Sequence, residues 1–109
     1  MNKPIPRKLL IHSATYGAIT VDAYGEQTTT ETELTRVRFE PVKQTMFSKL
    51  GESKNDKFMM FFDCKNSRPV GQTFTQLDEI TFDGVKLSIR EVTPCYDNSH
   101  LHHYEVSLT

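Results

Sequence analysis

The sequence predicts an all-β domain, a small antiparallel β-barrel or sandwich of six to seven strands with one long polar loop. Three observations lead there. Short runs of alternating apolar and polar residues recur along the chain, separated by turn residues. Asp83-Gly84 stands between two such runs, and both residues tolerate the positive φ that a type I′ hairpin turn demands. No stretch sustains a helical repeat long enough for a core helix. Closure into a barrel is favoured over an open sheet, because closure removes strand edges that a small sheet cannot otherwise protect.

The elements follow in chain order. Lys8 to Thr15 is the first strand candidate, with Leu9 and Ile11 on one face and Leu10 and His12 on the other. Ile19 to Tyr24 is the second, and Gly17 and Gly25 punctuate the two. Glu26 to Thr35 (EQTTTETELT) reads as a solvated strand or a loop, since threonine favours strands. In Thr35 to Val42, Val37, Phe39 and Pro41 alternate with Arg36, Arg38 and Glu40, the pattern of a half-buried strand ending at Pro41. Lys43 to Lys57 (KQTMFSKLGESKNDK) is a long polar loop with at most one helical turn around Met46, Phe47 and Leu50. Phe58 to Cys64 (FMMFFDC) is the most apolar run and fits a central strand buried on both faces. Asn66 to Gly71 is a turn. Thr73 to Leu77 leads to the hairpin of Ile80, Phe82, Val85, Leu87 and Ile89. A last strand carries His102, Tyr104, Val106 and Leu108 on one face, and His103, Glu105 and Ser107 on the other.

Length and composition bound the rest. The 109 residues make one domain with a modest core, spanning 1–109. The mean hydropathy of −0.49 suits a wet surface or a flexible loop. The net charge of −1 excludes a global electrostatic grip on nucleic acid. The opening stretch MNKPIPRKLLIHSATYG holds two prolines and a three-residue apolar run, so neither a signal peptide nor a membrane span is expected. Synthesis in the cytoplasm is the default. Cys64 and Cys95 are too few and too far apart to read as a disulfide framework.

Chemistry is sparse. His100, His102 and His103 lie close to Cys95 and Asp97, which are zinc-type ligands. Strict alternation puts His100 and His102 on one face and His103 on the other, and neither C-x-x-C nor H-E-x-x-H is present. Cys95, His102 and Asp97 match no nucleophilic signature, and the carboxylate pairs Asp78-Glu79 and Glu31-Glu33 fall in polar stretches. No catalytic residue, cofactor or metal is therefore expected. The basic residues Arg36, Arg38, Lys43, Lys49, Lys54 and Lys57 are interleaved with acids, and most aromatics sit at core-like positions rather than on a stacking face.

The residues themselves lead to a small β-domain that acts through contacts. The order I-x-F-D-G-x-x-x-x-I-x-x-V-x-P-C-Y (Ile80 to Tyr96), followed by L-H-H-Y-E-V-x-L (Leu101 to Leu108), resembles the minor capsid proteins of tailed phages and prophages of Gram-positive bacteria. Arg36 to Val42 and Phe61 to Asp63 are also similar, so the match is good over the last third, partial in the middle and poor before Arg36. The resemblance implies no enzyme but a head-completion or stopper subunit of the head-to-tail connector. Such a subunit is a β-barrel in a ring below the portal and adaptor, which helps retain packaged DNA and offers a surface to the tail. It further implies that the loop, with Lys43, Met46, Phe47, Lys49, Leu50, Glu52, Lys54 and Asp56, reaches the channel. Tyr96, His102, His103 and Tyr104 are the expected subunit contacts. The expected partners are the portal or adaptor and tail-completion proteins, in a ring homo-oligomer that is monomeric when isolated and touches DNA only passively. The location is then the virion, with no membrane. The alternative is an OB-like or similar barrel module that binds nucleic acid or a small ligand. Buried phenylalanines at 39, 58, 61, 62 and 74 would favour the structural barrel, and a row of exposed ones the binding module.

Overall fold

A computed structural model describes residues 4–42 and 56–109. Six strands make one antiparallel sheet that closes on itself: β1 (His12–Val21), β2 (Gln27–Pro41), β3 (Phe58–Asp63), β4 (Glu79–Phe82), β5 (Val85–Asp97) and β6 (His100–Leu108). The order around the ring is β1-β2-β3-β6-β5-β4, with β4 returning to β1. That last seam is short, running from Thr15↔Thr81 to Gly17↔Glu79, so the barrel is irregular there. The only helical element among the described residues is a 3-10 turn at Arg7–Leu9, and no helix is long and apolar enough to cross a membrane.

The Asp83-Gly84 hairpin forms as its residues dictate. Asp83 has φ 51° and Gly84 has φ 78°, and Phe82 pairs with Val85 across them. The alternating runs also sort as read. Val37 and Phe39 are buried between outward Arg36, Arg38 and Glu40, and Val106 and Leu108 are fully buried on β6. The inward residues form one core of Tyr16, Leu34, Val37, Phe39, Met60, Phe62, Ile80, Leu87, Ile89, Val106 and Leu108. Phe39 stacks on Phe82 with centroids 3.9 Å apart, and Phe58 meets both rings edge-on.

Three details depart from the reading of the sequence. First, the two strand candidates flanking Gly17 are a single strand, β1, and the segment Arg7–Leu9 ahead of it is helical. Gly17 is a place of close approach and not a turn: a Cβ there would stand 3.0 Å from Thr29 Cγ2 and 3.7 Å from Glu79 Cβ, where β2 and β4 crowd it from both sides. Second, the Thr-rich stretch and the Arg36–Pro41 run are one long strand with a corner. The register slips between His12↔Val37 and Ala14↔Leu34, and Arg36 takes φ 56°. This bulge bends β2 away from β1 and delivers Arg38–Pro41 to β3. Third, the apolar side chains of β3 are fully buried on one face only. Phe58, Met60 and Phe62 point into the ring, while Met59 and Phe61 are half-buried on the outside. A closed ring has a single interior, so the outer face of even its most apolar strand meets solvent.

Buried polar groups tie the ends of the strands. Asp63 is fully buried, and its carboxylate accepts from the backbone N–H groups of Ile5, Lys65 and Asn66. It thereby folds the turn after β3 and straps the N-terminal segment onto it. Asp78 accepts a short hydrogen bond from the Tyr16 hydroxyl and a 2.9 Å bond from Ile19 N–H, pinning β1 to the residues before β4. Burial first, and then the Asp78 carboxylate, push the Tyr16 phenol up to about 12.

Candidate functional site

β5 runs on past the end of β4, paired with β6, and β6 keeps β3 on its other edge as far as His103. β4 pairs with β5 only as far as Ser88, so among the described strands β6 alone pairs with β5 from Glu91 to Asp97. This ribbon and its turn, Asp97 to His100, carry most of the residues expected to make contacts. Asn98 closes the turn in the left-handed region at φ 58°. Tyr96 is 65% exposed, which suits a contact residue. Tyr104 instead leans into the barrel and packs edge-on against Phe74, and burial raises its phenol. It supports the ribbon from inside.

A bulge arranges the histidines. Asp97↔His100 and Tyr96↔Leu101 are consecutive pairs, but the next pair is Cys95↔His103. His102 is the extra residue on β6, and a bulge re-aims side chains that would otherwise alternate. His102 and His103 therefore face each other, with their Nδ1 atoms 2.7 Å apart, although they are neighbours on a strand. His103 Nε2 lies 3.0 Å from Glu105 Oε2 and its ring is tilted against Phe61. Cys95 sits across from His103, and burial, reinforced by the Glu105 carboxylate, raises its thiol. His100 stays on the turn, exposed. The grouping imagined from strict alternation, His100 with His102 and Cys95, does not assemble; Cys95, His103 and Glu105 do. The one signal for it in the sequence was Glu105 two residues after His103.

Beside the ribbon is an open cleft of about 470 Å³ lined by Pro4, Asp63, Cys64, Lys65, Asp97, His100, Leu101 and His102. Its buried carboxylate is committed to structure. Both Asp63 oxygens hold backbone N–H groups, and burial together with Asp63 raises the Cys64 thiol, the opposite of an activated nucleophile. Sequence reasoning missed Asp63 and Asp78 because their partners, Ile5, Tyr16 and Ile19, are about sixty residues away.

At the other end of the barrel, β2 and β3 hold the ends of the segment read as a channel loop. Lys43, Met46, Phe47, Lys49, Leu50, Glu52 and Lys54 lie outside the described residues. Asp56 is a buried anchor: its carboxylate takes Arg90 Nε at 2.7 Å and Nη2 at 2.8 Å. Val42 N–H donates to Lys57 O, and Lys57 N–H to Leu108 O, so the two ends of the segment meet at one rim.

Among the described residues, the phenylalanines form no stacking platform. Phe39 and Phe62 are buried, and Phe58, Phe61 and Phe74 are half-buried, with Phe58 and Phe74 packed on the core. The exposed aromatics among the described residues, Tyr24 and Tyr96, are far apart in the chain, each beside a hairpin turn. A family model described as minor capsid protein matches residues 6–108. The chain belongs to the minor capsid protein family. The match spans all six strands, including the part before Arg36, where the resemblance read from the motifs was poor. Membership makes this minor capsid protein a structural component of a phage virion, in contact with other virion proteins, and points away from an enzymatic role. No curated protein and no solved structure matches the chain.

Proposed function

We propose that this minor capsid protein is a stopper-type subunit of the head-to-tail connector in a tailed phage or prophage of Gram-positive bacteria. It sits in a ring below the portal or adaptor, with segment 43–55 directed at the channel. The observation that carries the reading is the rim that holds this segment. Val42 and Lys57 are hydrogen-bonded to each other, and Asp56 is clamped by Arg90, so both ends of the insertion are held on one rim of the barrel, which supports reading it as an appendage. An appendage on a rigid ring wall can reach a pore while the walls make subunit contacts. The exposed Thr-rich arm of β2 and the Tyr96 ribbon are two different patches, as a closed head-to-tail ring requires. A net charge of −1 suits a wall that DNA must pass without being gripped.

The test is to replace residues 44–54 with a short Gly-containing turn. The purified variant is expected to keep the wild-type melting temperature within a few degrees, and particles assembled with it are expected to lose DNA. Particles that retain DNA at the wild-type level would reject the channel role.

A further inference from the structure

β5 and β6 bring three different metal-binding donors to one spot. His103 and Glu105 are two apart on β6, so both stand on the outer face of the wall, and Cys95 on β5 is the cross-strand partner of His103. The Cys95 Sγ, one ring nitrogen of His103 and one Glu105 carboxylate oxygen all lie within 4.8 Å of one another, and the His103–Glu105 separation is 3.0 Å. A tetrahedral zinc shell, with Zn–N about 2.0–2.1 Å and Zn–S about 2.3 Å, sets neighbouring donors roughly 3.3–3.8 Å apart. Small side-chain rotations on a fixed pair of strands therefore bring the three donors to tetrahedral spacing. All three groups are half-buried, and Phe61 packs beside the His103 ring.

We propose that Cys95, His103 and Glu105 form a binding site for one divalent cation of the zinc class, with its fourth position open on the outer surface of the ribbon. The donor set selects the ion. A thiolate with an imidazole suits zinc and disfavours magnesium or calcium, which take oxygen shells. The surroundings supply what a ligating histidine needs. His102 Nδ1 lies 2.7 Å from His103 Nδ1, so when Nε2 holds the cation, Nδ1–H of His103 donates to His102 and fixes the ring. With both rings neutral and no cation, the order reverses: His103 Nε2–H donates to Glu105, and His102 Nδ1–H donates to His103. Cation binding thus switches the tautomer of both rings. The bulge at His102 makes this possible, since it turns the two rings toward each other. The cation bridges β5 to β6 where β5 has lost β4 as its other neighbour, while β6 is still paired with β3. The inference stands independently of the connector reading.

The experiment uses the full chain, stripped of metal, with Zn²⁺ and Co²⁺ as probes. Calorimetry is expected to give one Zn²⁺ per chain with a Kd of about 1 μM or tighter. Co²⁺ is expected to give a thiolate-to-metal charge-transfer band and tetrahedral visible absorption. Cys95→Ser should remove the band, and Cys95→Ser and His103→Gln should each weaken Zn²⁺ binding by ~100-fold or more. His102→Ala should weaken it roughly 10-fold. Cys64→Ser and His100→Ala should change neither, although both residues lie at the nearby cleft. Nitrogen NMR of the wild-type histidines, which needs no variant to fold, should show the tautomer exchange of His102 and His103 on adding Zn²⁺. A Kd weaker than about 100 μM, a cobalt band that survives Cys95→Ser, or histidine tautomers that do not respond to Zn²⁺ would each overturn the assignment.

Discussion

The Asp56–Arg90 pair at the foot of segment 43–55 should be a measurable clamp. The Asp56 side chain is 2% exposed and the Arg90 side chain 28%, and the contact is bidentate at 2.7 and 2.8 Å. The carboxylate also raises the arginine's already high pKa. Exposed ion pairs are worth about 0–1 kcal/mol, whereas removing one partner of a buried pair costs about 3–5 kcal/mol. A buried carboxylate with a partly wet guanidinium falls between, so Arg90→Met and Asp56→Asn should each cost about 2 kcal/mol. The double variant should cost little more than either one, which gives a coupling energy of about 1.5–2 kcal/mol. Urea unfolding followed by circular dichroism reads this directly. With a slope of about 1–1.5 kcal/mol per molar urea, each single variant loses roughly 1.5 M in midpoint. The slope itself should stay constant, because the barrel still folds as a unit. A coupling below about 0.5 kcal/mol would refute the argument and reduce the contact to an ordinary surface pair.

Two further outcomes follow from the same geometry. The folded pKa of Tyr16 lies above its ordinary value of 10.0, so the stability it contributes is fully present below pH 10 and is lost as pH rises towards about 12. That loss should be about 2–3 kcal/mol in wild type and missing from Tyr16→Phe, as measured by urea midpoints at pH 9 to 12. A Gly84→Ala substitution meets no atom within 4 Å but forces an L-residue to φ 78°, so it should cost about 1 kcal/mol through the backbone alone. A thermal melt unchanged by that substitution would contradict the type I′ assignment.

Local chemistry wrote much of this protein into its sequence. The Asp83-Gly84 turn depends on two residues tolerating positive φ, and the burial of Val37, Phe39, Val106 and Leu108 depends on a period of two. Neither needs a distant partner, so both were legible, as was the all-β class. The C-terminal motif carried the family likeness for the same reason. The tertiary structure decided what no local pattern encodes. Gly17 looks like punctuation until β2 and β4 close on it from either side. Phe58–Asp63 looks like a strand buried on both faces until the sheet shuts into a ring with one inside. The clearest case is the β5–β6 ribbon. A plain hairpin continued from Asp97↔His100 would set Cys95 opposite His102, and one extra residue in β6 sets it opposite His103 instead. That slip costs the sequence no visible signal, because it is settled by how β6 must register against β3 on its other edge. A side chain's position along the chain names its neighbours only while the register holds, and in a closed sheet the register belongs to all six strands together.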